Sequence, residues 1–366
     1  MELVINSIRK AASSHGFWRP VSLHIGAWRY SGSYPDASFN LKRLTYFFQK
    51  LEGAKFDSFF MADHLAVLNL PVETLKRSHT VTSFAPFTHL SSLSMVTERI
   101  GSAAAASTTY DELYYINRRF ASLDHINNGR AAWNVNFGLD EYVQHNERYK
   151  RARKFYDAVN GFWDSSADDV FMHVLNHKVD DLKASQSEQG RQLAVQMAKL
   201  VFCSPRDVET LRIVCDSFED AQAKILHLDS LEHCHSAISS LSITLRVEAS
   251  DFSPNDPLPD DIPETNASKT SQAGAVALGK KENLTVRQFL LAQRYGGIAD
   301  EMKIWLDEEA AHGFTVVLHF LPQGIDDVAD RLVPGLQKRG LFRKEYEGIM
   351  LREHFGLPRP KNQFLP

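Results

Sequence analysis

The chain has 366 residues, of which 43% are hydrophobic and 11% aromatic, enough to bury the core of one large α/β domain or two ordinary ones. Lysine and arginine number 41 against 45 aspartate and glutamate, so the net charge of -4 provides no basic field to hold nucleic acid. Because the sequence has no run of about 18 apolar residues and no sustained signal-peptide core, we expect a soluble, cytoplasmic protein without a membrane partner.

The cysteines do not indicate a disulfide framework or a metal site. Cys203, Cys215 and Cys234 are odd in number and have no patterned spacing, which suits a reducing compartment. The run His233-Cys234-His235 contains metal-ligating residue types. Adjacent residues rarely converge on one ion, however, so no metal is expected.

Helix and strand patterns alternate through the first half of the chain. The segment Asn40–Gly53 places apolar residues three and four apart, which is typical of an amphipathic helix, and Gly53 ends it. The segment Ser58–Met61 is a short aromatic-rich run typical of a buried strand. The elements predicted after it are a helix over Pro86–Arg99, a strand over Gly101–Ser107, a helix over Tyr114–Ile126, a strand over Arg130–Val135 and a helix over His145–Trp163.

The second half of the chain contains a segment that breaks this alternation. Residues 251–281 carry four prolines among acidic and small polar residues, which predicts an irregular insertion loop. Beyond it we predict a helix over Ile298–Glu309, a strand over Thr315–His319 and a helix over Ile325–Lys338. Residues 352–366, which contain several prolines, are predicted to form an extended C-terminal tail.

Repeated strand and helix units predict a parallel sheet, and over this length an α/β fold of the (β/α)₈ TIM barrel type is the leading architecture for a single domain, 1–366. A doubly wound sheet is the second possibility. The sequence has no Gly-x-Gly-x-x-Gly turn of the kind that binds dinucleotides in such sheets, and its absence weakens this second possibility.

Several ordered strings extend this interpretation to a family. They are His24-Ile25-Gly26-Ala27-Trp28-Arg29-Tyr30, Ala62-Asp63, Val96 through Gly101, Arg119 through His125, Gly129 through Val135, His145 through Tyr149 and Arg339 through Arg343. Together they resemble the bacterial-luciferase-like flavin monooxygenases. The branch they resemble most contains the oxygenating components of nitrilotriacetate monooxygenase, dibenzothiophene-sulfone monooxygenase and pristinamycin IIA synthase.

The resemblance implies a barrel enzyme that takes reduced FMN as a co-substrate from a separate NAD(P)H:FMN reductase. It implies that a C4a-(hydro)peroxyflavin then forms with O₂ and oxygenates a small organic substrate. The cofactor supplies the difficult chemistry, so the protein needs to orient the ring and exclude water. We also expect a homo-oligomer, either a dimer or a tetramer.

The resemblance also implies a set of site residues. Asp63 matches a carboxylate beside the flavin at the end of a strand, and His24 and Trp28 are candidates on the substrate or flavin side; these three are the expected catalytic residues. Asp63 is expected to contact the cofactor as well. The other expected cofactor-binding residues are Asn134, which ends a later strand, the pair His145 and Tyr149, which the spacing of four places on one helix face, and Ser187 in a phosphate-contacting turn.

Each of these residues has a structural alternative. Trp28, Trp133 and Tyr149 are equally typical of core aromatic residues, His145 of a helix cap, and Asp63 of a partner for Arg29 or Arg99. The arginines Arg29, Arg118 and Arg119 fit structural ion pairs better than substrate binding.

Some family segments are shortened here. The loop after Asn134-Val135 lacks a Thr/Ser-rich stretch, a strand between His177 and Ala184 is expected to be missing, and Ala105 stands where threonine is common. A barrel without one strand would leave backbone groups unpaired. A second hypothesis is therefore a degenerate, non-catalytic flavin- or ligand-binding relative, and a remote third is an oxidoreductase that binds a nicotinamide cofactor in the chain itself.

Overall fold

The computed structural model describes residues 13–18, 26–63, 65, 71–76, 84–136, 145–165, 180–184, 200–202, 313–318 and 320–358, with scattered positions between 223 and 306. Its strands form one seven-stranded sheet. They are β1 (Ser13–Trp18), β2 (Ser58–Met61), β3 (Gly101–Ser107), β4 (Ala131–Asn136), β5 (Asp180–Ala184), β6 (Leu200–Phe202) and β7 (Gly313–Val317).

The strand order is that of a barrel. Strands β1 to β6 lie side by side in chain order, β7 returns to pair with β1, and every pair is parallel. In a closed (β/α) barrel the last strand pairs with the first in this way. The predicted TIM-barrel architecture is therefore confirmed. An eighth strand would fall between β6 and β7, within residues 203–312, most of which lie outside the described part of the chain.

Helices follow the strands along the chain. The described ones are α1 (Leu41–Gly53), α2 (Val72–Leu75), α3 (Pro86–Ser94), α4 (Leu113–Ile126), α5 (His145–Asp164), α6 (Gln323–Asp327), a π-helical turn (Val328–Leu332), α7 (Val333–Lys338) and α8 (Leu351–His354). The local sequence explains where two of these helices begin. The side chain of Asn40 accepts a hydrogen bond from the Arg43 amide at the start of α1, and Pro86 occupies the first turn of α3.

The main core lies between the strands and the surrounding helices. Alternate residues of a strand face opposite sides of a sheet, and those of β2 to β4 that face outward are fully buried against the helices. The outward-facing members of this cluster are Phe59, Met61, Ala104, Ala106, Ala131, Trp133 and Val135. Trp133 is therefore a core aromatic residue, and its indole donates to the Ala106 carbonyl over 3.2 Å.

Two polar side chains fix the amino edge of the sheet. The Glu52 carboxylate accepts hydrogen bonds from the amides of Glu98, Arg99 and Ile100, which holds the approach to β3. The guanidinium of Arg130 is buried and donates to the carbonyls of Asn127, Ile100, Thr97 and Ser94. Burial lowers the pKa of Arg130, and the surrounding carbonyl oxygens solvate its charge.

The C-terminal segment closes the barrel at this same edge. Leu351 of α8 contacts the inward-facing alanines of β3 and β4, and its amide donates to the Gly129 carbonyl. A Cβ atom on Gly101 would lie 2.6 Å from Leu351 Cδ1, so a larger residue there would force the Leu351 side chain to shift. The buried carboxylate of Asp57 pairs with Arg343 over 2.5 Å. The segment thus forms the floor of the barrel.

Three elements differ from the sequence expectations. The strand expected to be missing before Ala184 is present as β5, because it pairs with β4 through backbone hydrogen bonds that do not depend on its side chains. Helix α3 ends at Ser94, not Arg99, since the amides beyond it bond to Glu52. The tail predicted to be extended from 352 is helical through His354, because Glu353 accepts from the amides of Ile349 and Met350.

The predicted insertion at 251–281 is described only in part. Its described residues around Gln272 are helical, and Leu258 joins a small separate cluster with Leu241 and Leu245. The Gln272 side chain bonds to the Thr265 amide and the Leu245 carbonyl. The limits of this insertion remain a prediction.

Candidate active site

The inner face of the sheet carries small side chains near the carboxyl edge. Phe60 of β2, Ala103 and Ala105 of β3 and Ala132 of β4 belong to the same buried cluster as Leu351, and Ala62, just beyond β2, packs against it. Ala62 and Ala105 are the members of this group nearest the carboxyl edge, and their methyl groups occupy little space there. In a parallel barrel this edge carries the loops that hold the chemistry.

Asn134 places a polar side chain on this inner face. It is 7% exposed, and its Oδ1 has no hydrogen-bond partner among the described residues. Its neighbours in register are Ala105 on β3 and Leu182 on β5, and neither residue type carries a side-chain donor. A buried amide oxygen without a partner costs about 1–3 kcal/mol. A ligand with an N–H or O–H group would remove that cost.

Asp63 lies two residues beyond the end of β2 and is partly buried. Because Met61 pairs with Ala104 and Ala104 pairs with Trp133, Asp63 reaches the level of the last residues of β4. One strand separates the two, so their backbones are roughly 10 Å apart. The structure therefore brings Asp63 and Asn134 to one edge of the sheet, as expected from the sequence.

The loop after β3 forms a fixed part of the rim. The Ser107 hydroxyl accepts from the amides of Thr109 and Tyr110, and the Thr108 amide donates to the Asn136 carbonyl. Asp111 accepts from the Ser107 amide over 2.9 Å and pairs with Arg119 over 3.0 Å. Arg119 thus has the structural role expected of it.

The structure describes some of the remaining predicted site residues and not others. His145 begins α5, although its side chain lies outside the described part, and Tyr149 is partly buried against the main core cluster. Trp28 lies in the 3₁₀ turn Ala27–Arg29, where its carbonyl accepts from the Ser33 hydroxyl. His24 and Ser187 lie outside the described residues. Their roles stay predictions.

Sequence reasoning missed the small residues and the rim loop. Nothing in the sequence alone shows that Ala62 and Ala105 line one surface, because that follows from strand register. A weak signal was available in β3, whose run Gly101–Ser107 contains only glycine, alanine and serine. Such a strand fits where a ligand approaches closely.

Neither a metal cluster nor a membrane helix is found in the described part. Among those residues no group of three or more His, Cys, Asp or Glu side chains is placed to hold a metal ion. The cysteine and histidine residues at 233–235 lie outside it. No described helix is long and apolar enough to span a bilayer.

Comparison with known proteins gives the family. The model of the luciferase-like monooxygenases matches residues 21–238. Nitrilotriacetate monooxygenase component A of Aminobacter aminovorans is 32% identical, over 95% of this chain and 97% of that protein. The chain belongs to the luciferase-like monooxygenase family.

Two further comparisons agree with this result. N-acetyl-S-(2-succino)cysteine monooxygenase of Bacillus subtilis (strain 168) is 32% identical over 93% of this chain and 95% of that protein. The crystal structure of riboflavin lyase (RcaE) with modified FMN and riboflavin superposes with a TM-score of 0.77 at 20% identity, covering 94% of this chain and 95% of that one. The fold is thus that of the luciferase-like barrels.

Family membership makes the chain an oxidoreductase of the monooxygenase type and does not favour a degenerate, non-catalytic relative. The alignment with nitrilotriacetate monooxygenase component A spans 440 positions, more than the 366 residues of this chain, so the relative contains segments that are shorter here. Strand β5 is nevertheless retained.

The residues present fit the flavin that the family uses. The small side chains of Ala62 and Ala105 suit a planar ring, and Asn134 Oδ1, which has no hydrogen-bond partner among the described residues, offers an acceptor to a ring N–H. The first amides of α5 have no partners within the helix, so its N-terminus favours a negative charge such as a phosphate.

Proposed function

We propose that this luciferase-like monooxygenase is the oxygenating component of a two-component system and uses reduced FMN as its co-substrate. The observation that carries the proposal is the buried amide oxygen of Asn134, which lies beside Ala105 on the inner face and has no hydrogen-bond partner in the described part of the chain. Bound reduced FMN supplies the electrons that activate O₂ for transfer of one oxygen atom to a small organic substrate.

Each of the chain's own residues has a simple task in this proposal. Ala62 and Ala105, whose side chains are small, are proposed to leave room for the ring and to exclude water beneath it. Asn134 Oδ1 accepts a hydrogen bond from a ring N–H and fixes the orientation of the ring. The carboxylate of Asp63 stands at the rim, where it holds or accepts a proton from the flavin or the substrate.

The phosphate end of the cofactor is assigned to the start of α5. His145 and Tyr149 lie one turn apart there, and the helix dipole favours an anion. Ser187 is proposed as a further phosphate contact. His24 and Trp28 are proposed to face the substrate or the ring from the first loop.

A separate NAD(P)H:FMN reductase is the proposed electron source. The name of one relative, a component A, denotes one part of a larger enzyme. The sequence of this chain also lacks a Gly-x-Gly-x-x-Gly turn. A homo-oligomer that works in the cytoplasm, beside the NAD(P)H-dependent reductase, completes the proposal.

The proposed substrates are small organic compounds that carry a carbon–nitrogen or carbon–sulfur bond. This class covers the amine named in one relative and the thioether named in another. The loops at the carboxyl edge decide which compound binds, as is usual in such barrels.

Labelled oxygen tests the proposal. The protein is mixed with FMN, NADH, a supplied reductase and ¹⁸O₂, together with a panel of amines and thioethers, and the products are identified by mass spectrometry. Incorporation of one labelled atom into a product is expected, and Asp63→Ala and His145→Ala should reduce it while leaving the folded fraction unchanged. Peroxide release without any labelled product across the panel would count against it.

A further inference from the structure

The rim loop, residues 107–111, is held in shape by two of its own side chains. The Asp111 carboxylate accepts a hydrogen bond from the Ser107 amide over 2.9 Å, and the Asp111 amide donates to the Ser107 carbonyl over 3.2 Å. Between these residues, the Ser107 hydroxyl accepts from the amides of Thr109 and Tyr110 over 3.1 and 3.3 Å. Each bond gives a backbone amide a fixed partner, so the conformation of the loop depends on Asp111 and Ser107.

The rim loop is joined to the strand that carries Asn134. Thr108 is 1% exposed, and both its amide and its hydroxyl donate to the Asn136 carbonyl, over 2.7 and 3.3 Å. Asn136 is the last residue of β4, two positions beyond Asn134, so the two residues belong to the same face of the sheet. Since Ala105 of β3 is in register with Asn134, the loop holds the two strands together beside the proposed ring contact.

Two helices contact the same loop. Arg119 of α4 donates to the Asp111 carboxylate over 3.0 Å. Arg151 of α5, two residues beyond Tyr149, donates to the Thr109 carbonyl over 3.1 Å. The loop therefore contacts both the strand assigned to the flavin ring and the helix assigned to its phosphate.

The two contacts of the Asp111 carboxylate have different consequences. The side chains of Arg119 and Asp111 are 46% and 13% exposed, and an ion pair open to solvent on one side contributes little to stability. The bond from the Ser107 amide, in contrast, fixes the backbone where β3 ends, and without it a partly buried amide would lose its acceptor. The acceptor oxygen is therefore expected to matter more than the charge.

We propose that Asp111 is a positioning residue of the flavin site. By accepting the Ser107 amide, its carboxylate fixes the rim loop and, through Thr108, the end of β4, so that Asn134 is held where it can meet the ring. Asp111 acts through the loop and is assigned no contact with the cofactor. The inference rests on the flavin site proposed above.

Four variants separate the acceptor from the charge and from general stability. Asp111→Ala removes both contacts, Asp111→Asn keeps an acceptor oxygen for the Ser107 amide, and Arg119→Met removes the ion pair alone. Glu353→Ala is the matched control, because Glu353 also accepts from backbone amides, those of Ile349 and Met350, but at the floor of the barrel.

Anaerobic titration with FMNH₂, calculated per folded molecule, measures the effect. We expect Asp111→Ala to bind FMNH₂ about tenfold more weakly than the wild type, and Asp111→Asn, Arg119→Met and Glu353→Ala to bind it within about twofold. If Asp111→Ala does not fold, Thr108→Val tests the next link, since it removes only the hydroxyl bond to Asn136. It should weaken binding about threefold, and unchanged binding would count against the role.

Amide hydrogen exchange of the flavin-free protein gives an independent measurement. Loss of the carboxylate should increase exchange in residues 107–111 and at the end of β4 in Asp111→Ala, whereas Asp111→Asn should exchange as the wild type does. Wild-type exchange in Asp111→Ala would show that the carboxylate does not fix the loop and would overturn the proposal.

The outcomes distinguish this inference from the proposed function. If the wild type binds neither FMNH₂ nor FMN, the proposed function fails and the positioning role fails with it. If the wild type binds FMNH₂ and Asp111→Ala binds it equally well, the positioning role alone is refuted. It is also refuted if Asp111→Asn or Glu353→Ala loses as much affinity as Asp111→Ala, because charge or general stability would then explain the loss.

Discussion

Acid should destabilise this protein through His89. The imidazole is 2% exposed, and burial lowers its pKa from the usual 6.5 to about 4. A proton therefore binds the unfolded chain more readily than the folded one over this interval. Above pH 6.5, His89 is neutral in both the folded and the unfolded chain and does not reduce the free energy of unfolding. As the pH falls from 6.5 toward 4, protonation of the unfolded chain lowers that free energy.

The magnitude follows from the two pKa values. The gap between 6.5 and about 4 corresponds to about 3 kcal/mol when the titration is complete. At pH 5, about 1.5 pH units below the unfolded pKa, the free energy of unfolding is therefore about 2 kcal/mol lower than at pH 7. His89→Phe keeps an aromatic ring against Phe84 and removes the titrating group.

Urea unfolding of both proteins at the two pH values measures this contribution. Other titrating groups affect both proteins equally, so the difference between their pH dependences isolates His89. We expect the free energy of unfolding of the wild type to fall by about 2 kcal/mol more than that of His89→Phe. Equal losses in the two proteins would refute the reasoning.

Three further predictions concern the barrel floor and the inner face. Asp57→Asn removes the buried partner of Arg343 and should lower the free energy of unfolding by about 3–5 kcal/mol in urea melts; a change below about 1 kcal/mol would contradict the role of the pair. Gly101→Ala should lower it by about 1–3 kcal/mol, because the new methyl group meets Leu351, and Leu351→Ala in the same chain should relieve the clash; if the two losses simply add, the contact is not the cause. Asn134→Leu should leave thermal stability unchanged or raised while weakening binding of reduced FMN about tenfold, as measured by anaerobic titration, and unaltered affinity would exclude the amide as a ring contact.

Much of the first half of the fold could be predicted from local sequence. The strand Ser58–Met61 and the helix ending at Gly53 are visible because apolar runs and helical spacing follow directly from burial on one or both faces. In contrast, Ser13–Trp18 and Asp180–Ala184 have no such pattern. These strands depend on backbone pairing with β2 and β4, and a long-range pairing leaves no local signal.

The site was predicted only as separate residues. Asp63 and Asn134 stand out because each comes at or near the end of a strand. Ala105 and Asn134 are 29 positions apart in the chain and lie side by side only because of the register between β3 and β4. Among the described residues no donor reaches the amide oxygen, and the sequence does not show this. Likewise, the meeting of Phe84 with both Phe39 and His89 follows from packing of α1 and α3, which no spacing in the sequence indicates.

The central claim is that the carboxyl edge of this barrel holds reduced FMN. Anaerobic titration of the purified chain with FMN and with FMNH₂, followed by mixing with O₂, tests it most directly. We expect FMNH₂ to bind more tightly than FMN, and the bound reduced flavin to give a transient absorbance before oxidised FMN is released. Binding of neither form at high micromolar concentration, by a chain that melts cooperatively, would contradict the claim.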